Sequence, residues 1–171
     1  MERIDNIGFG NLKLIQNPEE FCYGVDAVIL ADFAKESTGM KMVSCHSERS
    51  KQSLVFDLGT GTGVIPLIIS EGTQGKIIGV EIQKKSFELA ERNAKINSLE
   101  DRISFINQDI KDYEIWGEEY RSKADIVTTN PPYMTRTSGL KNDNSAKLIA
   151  RHETTADLED FIKASAYLLK D

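Results

Sequence analysis

The sequence predicts an α/β fold built on a doubly wound parallel sheet, and two features carry that prediction. Leu54-Val55-Phe56-Asp57-Leu58 is an apolar run of the kind found in strands buried on both faces. It leads into Gly59-Thr60-Gly61-Thr62-Gly63 and then into the apolar Val64-Ile65-Pro66-Leu67-Ile68-Ile69, a strand, glycine turn and helix in the order that opens a nucleotide-binding domain. The second feature is repetition. Three further short apolar or β-branched runs, at residues 77–80, 103–106 and 126–129, are each followed by polar or acidic residues: Glu81, then Asn107-Gln108-Asp109, then Asn130. Carboxyl ends of parallel strands open on one edge of the sheet, so these residues should converge on a single crevice.

Length and composition are those of one globular domain. The chain has 171 residues, 40% apolar and 28% charged, and no apolar run approaches the ~18 residues of a membrane span. Met1-Glu2-Arg3-Ile4-Asp5 does not lead into a signal-peptide core, so a cytoplasmic location without membrane contact is expected. Cys22 and Cys45 form no C-x-x-C pair, and His46 and His152 are too few to suggest a metal site. Both cysteines read as reduced thiols. A net charge of -6 argues against a general basic coat for nucleic acid but leaves room for a local patch.

Residues 1–36 read as a strand and helix segment. Leu12, Leu14 and Ile15 suggest a short strand, Asn17-Pro18 a turn, and Val25, Val28, Ile29 and Phe33 the inward face of a helix capped by Asp26. Residues 37–53 are polar and aperiodic, and are expected to form a long loop. The core occupies residues 54–171. Pro66 is tolerable in the first turn of the helix after the glycines. Their spacing is followed by Val64 where a dinucleotide fingerprint would have Gly or Ala, which favours a nucleoside-like ligand over a pyrophosphate.

Glu81 lies 24 residues after Asp57, at the end of the second core strand, where an acid can accept both hydroxyls of a ribose. Lys84 to Asn97 reads as a helix with Phe87, Ala90 and Ala94 inward. Asp109 has two readings of equal weight, acceptor from an adenine amine or cap of the segment after it. The four core strands should take the spatial order third, second, first, fourth, with the topological switch between first and fourth.

After Ile126-Val127-Thr128-Thr129 comes Asn130-Pro131-Pro132-Tyr133. Two prolines stiffen the loop and leave their carbonyls free to accept. The side-chain carbonyl of Asn130 beside the Pro131 carbonyl makes a two-acceptor clamp for one NH2 group, and Tyr133 offers a ring for stacking. Residues 134–152 carry Arg136, Lys141, Lys147 and Arg151 against Asp143, a net +3 that is either a solvated loop or a contact to an RNA backbone.

D-L-G-T-G-T-G, the acid after strand two, the Asp after strand three and N-P-P-Y together resemble the class I S-adenosylmethionine-dependent methyltransferases, closely over residues 54–170. N-P-P-Y looks like their signature for methylating an amino group. Leu12 to Gln16, Phe21 to Leu30 and Ala150-Arg151-His152-Glu153 are similar to the tRNA adenine-N6 methyltransferases that modify a valine tRNA. The resemblance implies a Rossmann-like fold and S-adenosylmethionine as cofactor, with S-adenosylhomocysteine as product. It implies cofactor contacts from Asp57, Gly59, Thr60, Gly61 and Gly63, from Glu81, Ile82 and Asp109, and from Asn130, with Tyr23 and Gln16 enclosing the site. Asn130, Pro131 and Tyr133 would be catalytic, and Pro132, Arg136, Lys141, Lys147 and Arg151 would meet the substrate. Arg151 and His152 also read as part of a solvated loop.

An activated sulfonium methyl needs neither metal nor covalent intermediate, only an amine held in line with it. RNA, and tRNA in particular, is the expected partner. Two alternatives stand beside it: methylation of a glutamine amide in a release factor, which uses the same clamp, and a non-catalytic cofactor-binding fragment. The chain reaches Leu168-Leu169-Lys170-Asp171 where the family turns into a fifth strand. The last strands are therefore expected to be missing, and self-association or poor solubility through the open edge at 125–129 is expected unless the Asn11 to Phe21 segment or the helix from Asp157 to Leu169 covers it.

Overall fold

A computed structural model describes residues 1–19, 22–39, 53–131 and 156–171. Pro132, Tyr133, Arg136, Lys141, Lys147, Arg151 and His152 lie outside the described residues, as do Cys45, His46 and most of the 37–53 segment. Strands β1 (Arg3–Asn6) and β2 (Lys13–Gln16) form an antiparallel hairpin. The main sheet contains β3 (Leu54–Leu58), β4 (Lys76–Val80), β5 (Ile103–Ile106) and β6 (Ile126–Thr129), all parallel, in the order β5-β4-β3-β6. This is the order expected from the sequence, with the switch point between β3 and β6.

Side-chain alternation along the strands builds two cores. Val55 and Ile77 face the layer holding α1 (Val25–Gly39) and α2 (Val64–Ser70), with Leu14, Leu67 and Ile68. Phe56, Leu58, Ile78 and Val80 face the opposite layer, where Phe161, Ala164 and Leu168 of α5 (Leu158–Leu168) cover them. The third helix, α3 (Lys84–Ile96), buries Leu89, Ala90, Asn93 and Ala94. Between β5 and β6 the crossover is a run of short turns, Ile110–Asp112, α4 (Tyr113–Trp116) and Glu118–Tyr120. Asp157 caps α5 by accepting from the backbone of Glu159 and Asp160, while Asp160 accepts from the Asp157 N–H.

Three expectations for the amino-terminal segment are corrected. The buried face of α1 is Ala27, Ala31 and Ala34, whereas Val25, Ile29 and Phe33 are 74%, 64% and 71% exposed. The reason is packing: all seven residues of α2 are buried, α1 lies against it, and small side chains permit the close approach. Helix α1 also extends through Ser37 to Gly39, beyond the expected boundary, with the Ser37 hydroxyl donating to the Phe33 carbonyl. Asp26 lies within the first turn of α1 and does not precede it.

The edge beside β6 is partly engaged. Ala124 forms an isolated parallel bridge with Leu169, where the Lys123 and Ala124 N–H groups donate to Leu168 and the Lys170 N–H donates to Ala124. Among the described residues, no helix is long and apolar enough to cross a membrane.

Candidate active site at the carboxyl edge of the sheet

The glycine turn is fastened to the strand beside it. Gly59 and Thr60 N–H groups both donate to the Val80 carbonyl, and Gly61 donates to Glu81 Oε2 at 2.8 Å. Gly61 and Gly63 have φ of 58° and 83°, a region L side chains enter at a cost. They differ in what surrounds them. A Cβ on Gly63 would meet Phe105 at 3.1 Å and Ala90 at 3.2 Å, so this glycine lets the turn pack on β5 and α3. A Cβ on Gly61 would meet nothing within 4 Å, so its open side is the one a ligand can approach.

Among the described residues, three buried side-chain atoms, Asp57 Oδ2, Thr60 Oγ1 and Gln16 Oε1, make no hydrogen bond of good geometry, although the Thr60 hydroxyl lies close enough to the Asp57 carboxyl to act on it. Buried polar atoms are rarely left so, and a polar ligand bound here could satisfy them. Asp57 is fully buried and accepts from Thr128 at 2.8 Å through its other oxygen. Burial is the main cause that pushes its carboxyl up to about 7. The Thr60 and Thr128 hydroxyls oppose this rise, while the charge of Glu81 adds to it.

Glu81 is 5% exposed and already accepts two backbone donors, Gly61 at 2.8 Å and Gln83 at 2.9 Å, one on each carboxylate oxygen. The Ile82 N–H also acts on this carboxylate, and a carboxylate's acceptor capacity of about four leaves room for a further donor. Burial raises the carboxyl above its ordinary range, against the lowering effect of these backbone donors. Ile82 follows, and its carbonyl and that of Glu81 accept from the Asn107 amide at 3.0 and 2.7 Å, tying the ends of β4 and β5 together. Of the two readings of Asp109, the structure realises the cap: its side chain accepts from the Lys111 N–H at 3.0 Å, with the Lys111 ammonium 3.6 Å away.

The fourth strand end stands beside the first. Leu58 pairs with Thr129, so Asn130 leaves β6 level with Gly59 leaving β3, on neighbouring strands about 5 Å apart. Asn130 and Pro131 are half-buried. Asn130 Nδ2 donates to Asp26 Oδ2 at 3.2 Å, across 104 residues of chain. Tyr23 and Gln16 line a cleft of about 440 Å3 with Arg3, Cys22, Gly24, Val25 and Val28. The residues next in sequence to Gln16 and Val25, Ile15 and Asp26, bond to Asn93 and to Asn130 respectively.

Asn93 is the residue that sequence reasoning missed. It is fully buried, donates to the carbonyls of Ile15 at 3.1 Å and Thr62 at 2.9 Å, and accepts from the Ile15 N–H at 2.6 Å. One amide thus joins the amino-terminal hairpin to the glycine turn. The signal was present, since Asn93 sits at a helical position flanked by the inward Leu89, Ala90 and Ala94. No group of residues suited to a metal occurs among the described residues.

Residues 49–163 match the family described as a methyltransferase domain. The chain is 31% identical over 148 residues to a tRNA1(Val) (adenine(37)-N6)-methyltransferase of Porphyromonas gingivalis, covering 85% of this chain and 53% of that protein. It is 33% identical over 117 residues to a release factor glutamine methyltransferase of Buchnera aphidicola, covering 68% and 39%. Among solved structures, an S-adenosylmethionine-dependent methyltransferase from Agrobacterium tumefaciens superposes with a TM-score of 0.65 at 17% identity, over 99% of this chain and 49% of that one, a likeness of fold. The chain spans about half the length of the curated relatives it matches. It belongs to the methyltransferase-domain family.

Proposed function

We propose that this chain transfers a methyl group from S-adenosylmethionine to an exocyclic amine, the N6 of an adenine in a tRNA. The observation that carries the reading is the register of β3 against β6, which brings the glycine turn and the Asn130-Pro131 clamp side by side. The cofactor fits the residues around the turn. The open side of Gly61, the remaining acceptor capacity of Glu81 and the buried oxygens of Asp57, Thr60 and Gln16 offer space, ribose acceptors and polar partners. When bound, the cofactor supplies a methyl already activated on a cationic sulfur.

The chain's part is placement. Asn130 Oδ1 and the Pro131 carbonyl accept the two amine hydrogens, which turns the nitrogen lone pair away from them and favours positive charge as it builds on nitrogen. That lone pair would form the new carbon–nitrogen bond as the methyl–sulfur bond breaks, its electron pair staying on sulfur in the departing S-adenosylhomocysteine, and the surplus proton would leave to water. Tyr133 would stack on the base, which must leave its helical stack to reach the clamp. Arg136, Lys141, Lys147 and Arg151 would hold the RNA backbone. The tRNA-modifying relatives and the +3 charge of residues 134–152 support the nucleic-acid reading over the glutamine one.

The test offers purified chain and labelled S-adenosylmethionine to total RNA and to total protein. Label in RNA, recovered as N6-methyladenosine, is expected; N5-methylglutamine in protein with no modified adenosine would reject the RNA reading. Reversing Lys141 and Lys147 to Glu should weaken RNA binding and flatten its salt dependence with cofactor affinity unchanged. An unaltered salt slope removes the basic segment from the interface.

A further inference from the structure

The contact between Asn130 and Asp26 has a consequence for how the amine is chosen. An asparagine amide is nearly symmetric in shape, but one end accepts and the other donates. Turned the wrong way, Asn130 would present its NH2 to an incoming NH2, donor against donor. Asp26 Oδ2 accepts from Nδ2, so the amide is fixed with its donor end toward α1 and Oδ1 left to accept.

Two further observations show that this contact is built. Ala27, Ala31 and Ala34 bury α1 against α2, which fixes the backbone of the first turn where Asp26 sits. The carboxylate also occupies the space that a Cβ on Gly24 would fill, with Asp26 Oδ1 its closest neighbour. Gly24 has no left-handed φ to explain it, so the missing side chain is what gives the carboxylate its place.

We propose that Asp26 is a positioning residue for the acceptor amine, holding Asn130 so that Oδ1 faces the amine and keeping a negative charge behind the amide. The inference rests on the methyl-transfer reading above and adds to it a determinant on α1, outside the sheet edge. As the nitrogen becomes cationic, the charge on Asp26 polarises the Asn130 carbonyl in the favourable sense.

The experiment uses the full chain in three forms: wild type, Asp26→Ala, and Gly24→Ala, which keeps the acid but displaces its carboxylate. Three readouts are taken: kcat for methyl transfer to RNA, affinity for S-adenosylhomocysteine, and the side-chain NH2 resonances of Asn130, identified by their loss in Asn130→Ala. Both variants should lower kcat on the order of 10- to 100-fold, the scale of a misplaced reacting group, with cofactor affinity within about threefold. Both should also shift the Asn130 NH2 pair. An acid serving only the first turn of the helix would leave that pair in place, and Gly24→Ala would then cost nothing. Unmoved resonances, or full kcat in a folded variant of either kind, overturn the inference. If the wild type transfers no methyl group to any acceptor, the parent reading falls and this one falls with it, whereas transfer that survives both substitutions removes this one alone.

Discussion

The two halves of the crevice are held in different ways. On the cofactor side, the ends of β3, β4 and β5 are laced by hydrogen bonds of backbone to backbone and of backbone to side chain: the glycine turn to Val80 and to the Glu81 carboxylate, Gln83 to the same carboxylate, and the Asn107 amide to the Glu81 and Ile82 carbonyls. On the acceptor side, Asn130 is half-exposed and, among the described residues, its side chain makes one hydrogen bond, donated to Asp26 of α1, 104 residues away. The first half is a cradle held mainly within the sheet edge, with Asn93 tying its glycine turn to the amino-terminal hairpin. The second depends on α1, so the two should fail separately.

The largest expected effect lies in the acceptor half. Asn130→Ala should abolish methyl transfer while leaving affinity for S-adenosylhomocysteine within about 1 kcal/mol, because truncating a side chain at a loop end disturbs the neighbouring cradle little. Single-turnover assays with calorimetry on the same preparation decide this. A variant retaining more than about a tenth of the parental rate, a loss under ~1.4 kcal/mol, would mean that Asn130 is no clamp.

Within the cradle the two glycines should separate stability from binding. Gly63→Ala forces a Cβ against Phe105 and Ala90 at an already positive φ, and overpacking plus backbone strain should lower the unfolding free energy by about 2–4 kcal/mol. Gly61→Ala meets no atom, so it should lower stability by only about 1–2 kcal/mol of backbone strain and act chiefly on cofactor affinity. Denaturant titration of both variants measures the difference; equal destabilisation would show that the open side of Gly61 is not reserved for a ligand. Glu81→Ala comes next, with an expected loss of about 1.5–3 kcal/mol in cofactor binding, the range for hydrogen bonds to a charged group. Unchanged affinity by calorimetry would take Glu81 out of the ribose site.

The same division explains what could be read from the sequence. The sheet order, the glycine turn and the place of Asn130 at a strand end were legible because each lies beside a short apolar run with its punctuation. Strand β1 was not, since Arg3-Ile4-Asp5-Asn6 holds a single apolar residue, and even Ile4 is 63% exposed. The buried face of α1 was misread for a related reason. Size suggested that Val25, Ile29 and Phe33 point inward, but the close approach to α2 selects Ala27, Ala31 and Ala34. Roles that depend on distant partners left the faintest trace: Asp26 read as a cap because nothing local ties it to Asn130, and Asn93 read as nothing at all.

A pH dependence is also expected, seated in Asp57. Its folded pKa of about 7 stands above the ordinary carboxylate value of 3.8, so between those values the folded chain holds a proton that the unfolded chain has lost. Stability from this group is therefore full below about pH 4, falls as pH rises toward 7, and is constant beyond, with a slope of at most ~1.4 kcal/mol per pH unit. Asp57→Asn should remove that slope, so the variant gains on the wild type from pH 4 to 7, as urea titrations at each pH would show. Cofactor binding should run the other way. A cationic ligand beside Asp57 favours the ionised carboxyl, so S-adenosylmethionine should bind more tightly as pH rises toward 7 and should release up to one proton near pH 6. Calorimetry in buffers of different ionisation enthalpy counts that proton, and a binding heat independent of buffer would place the buried Asp57 carboxyl away from the ligand's charge.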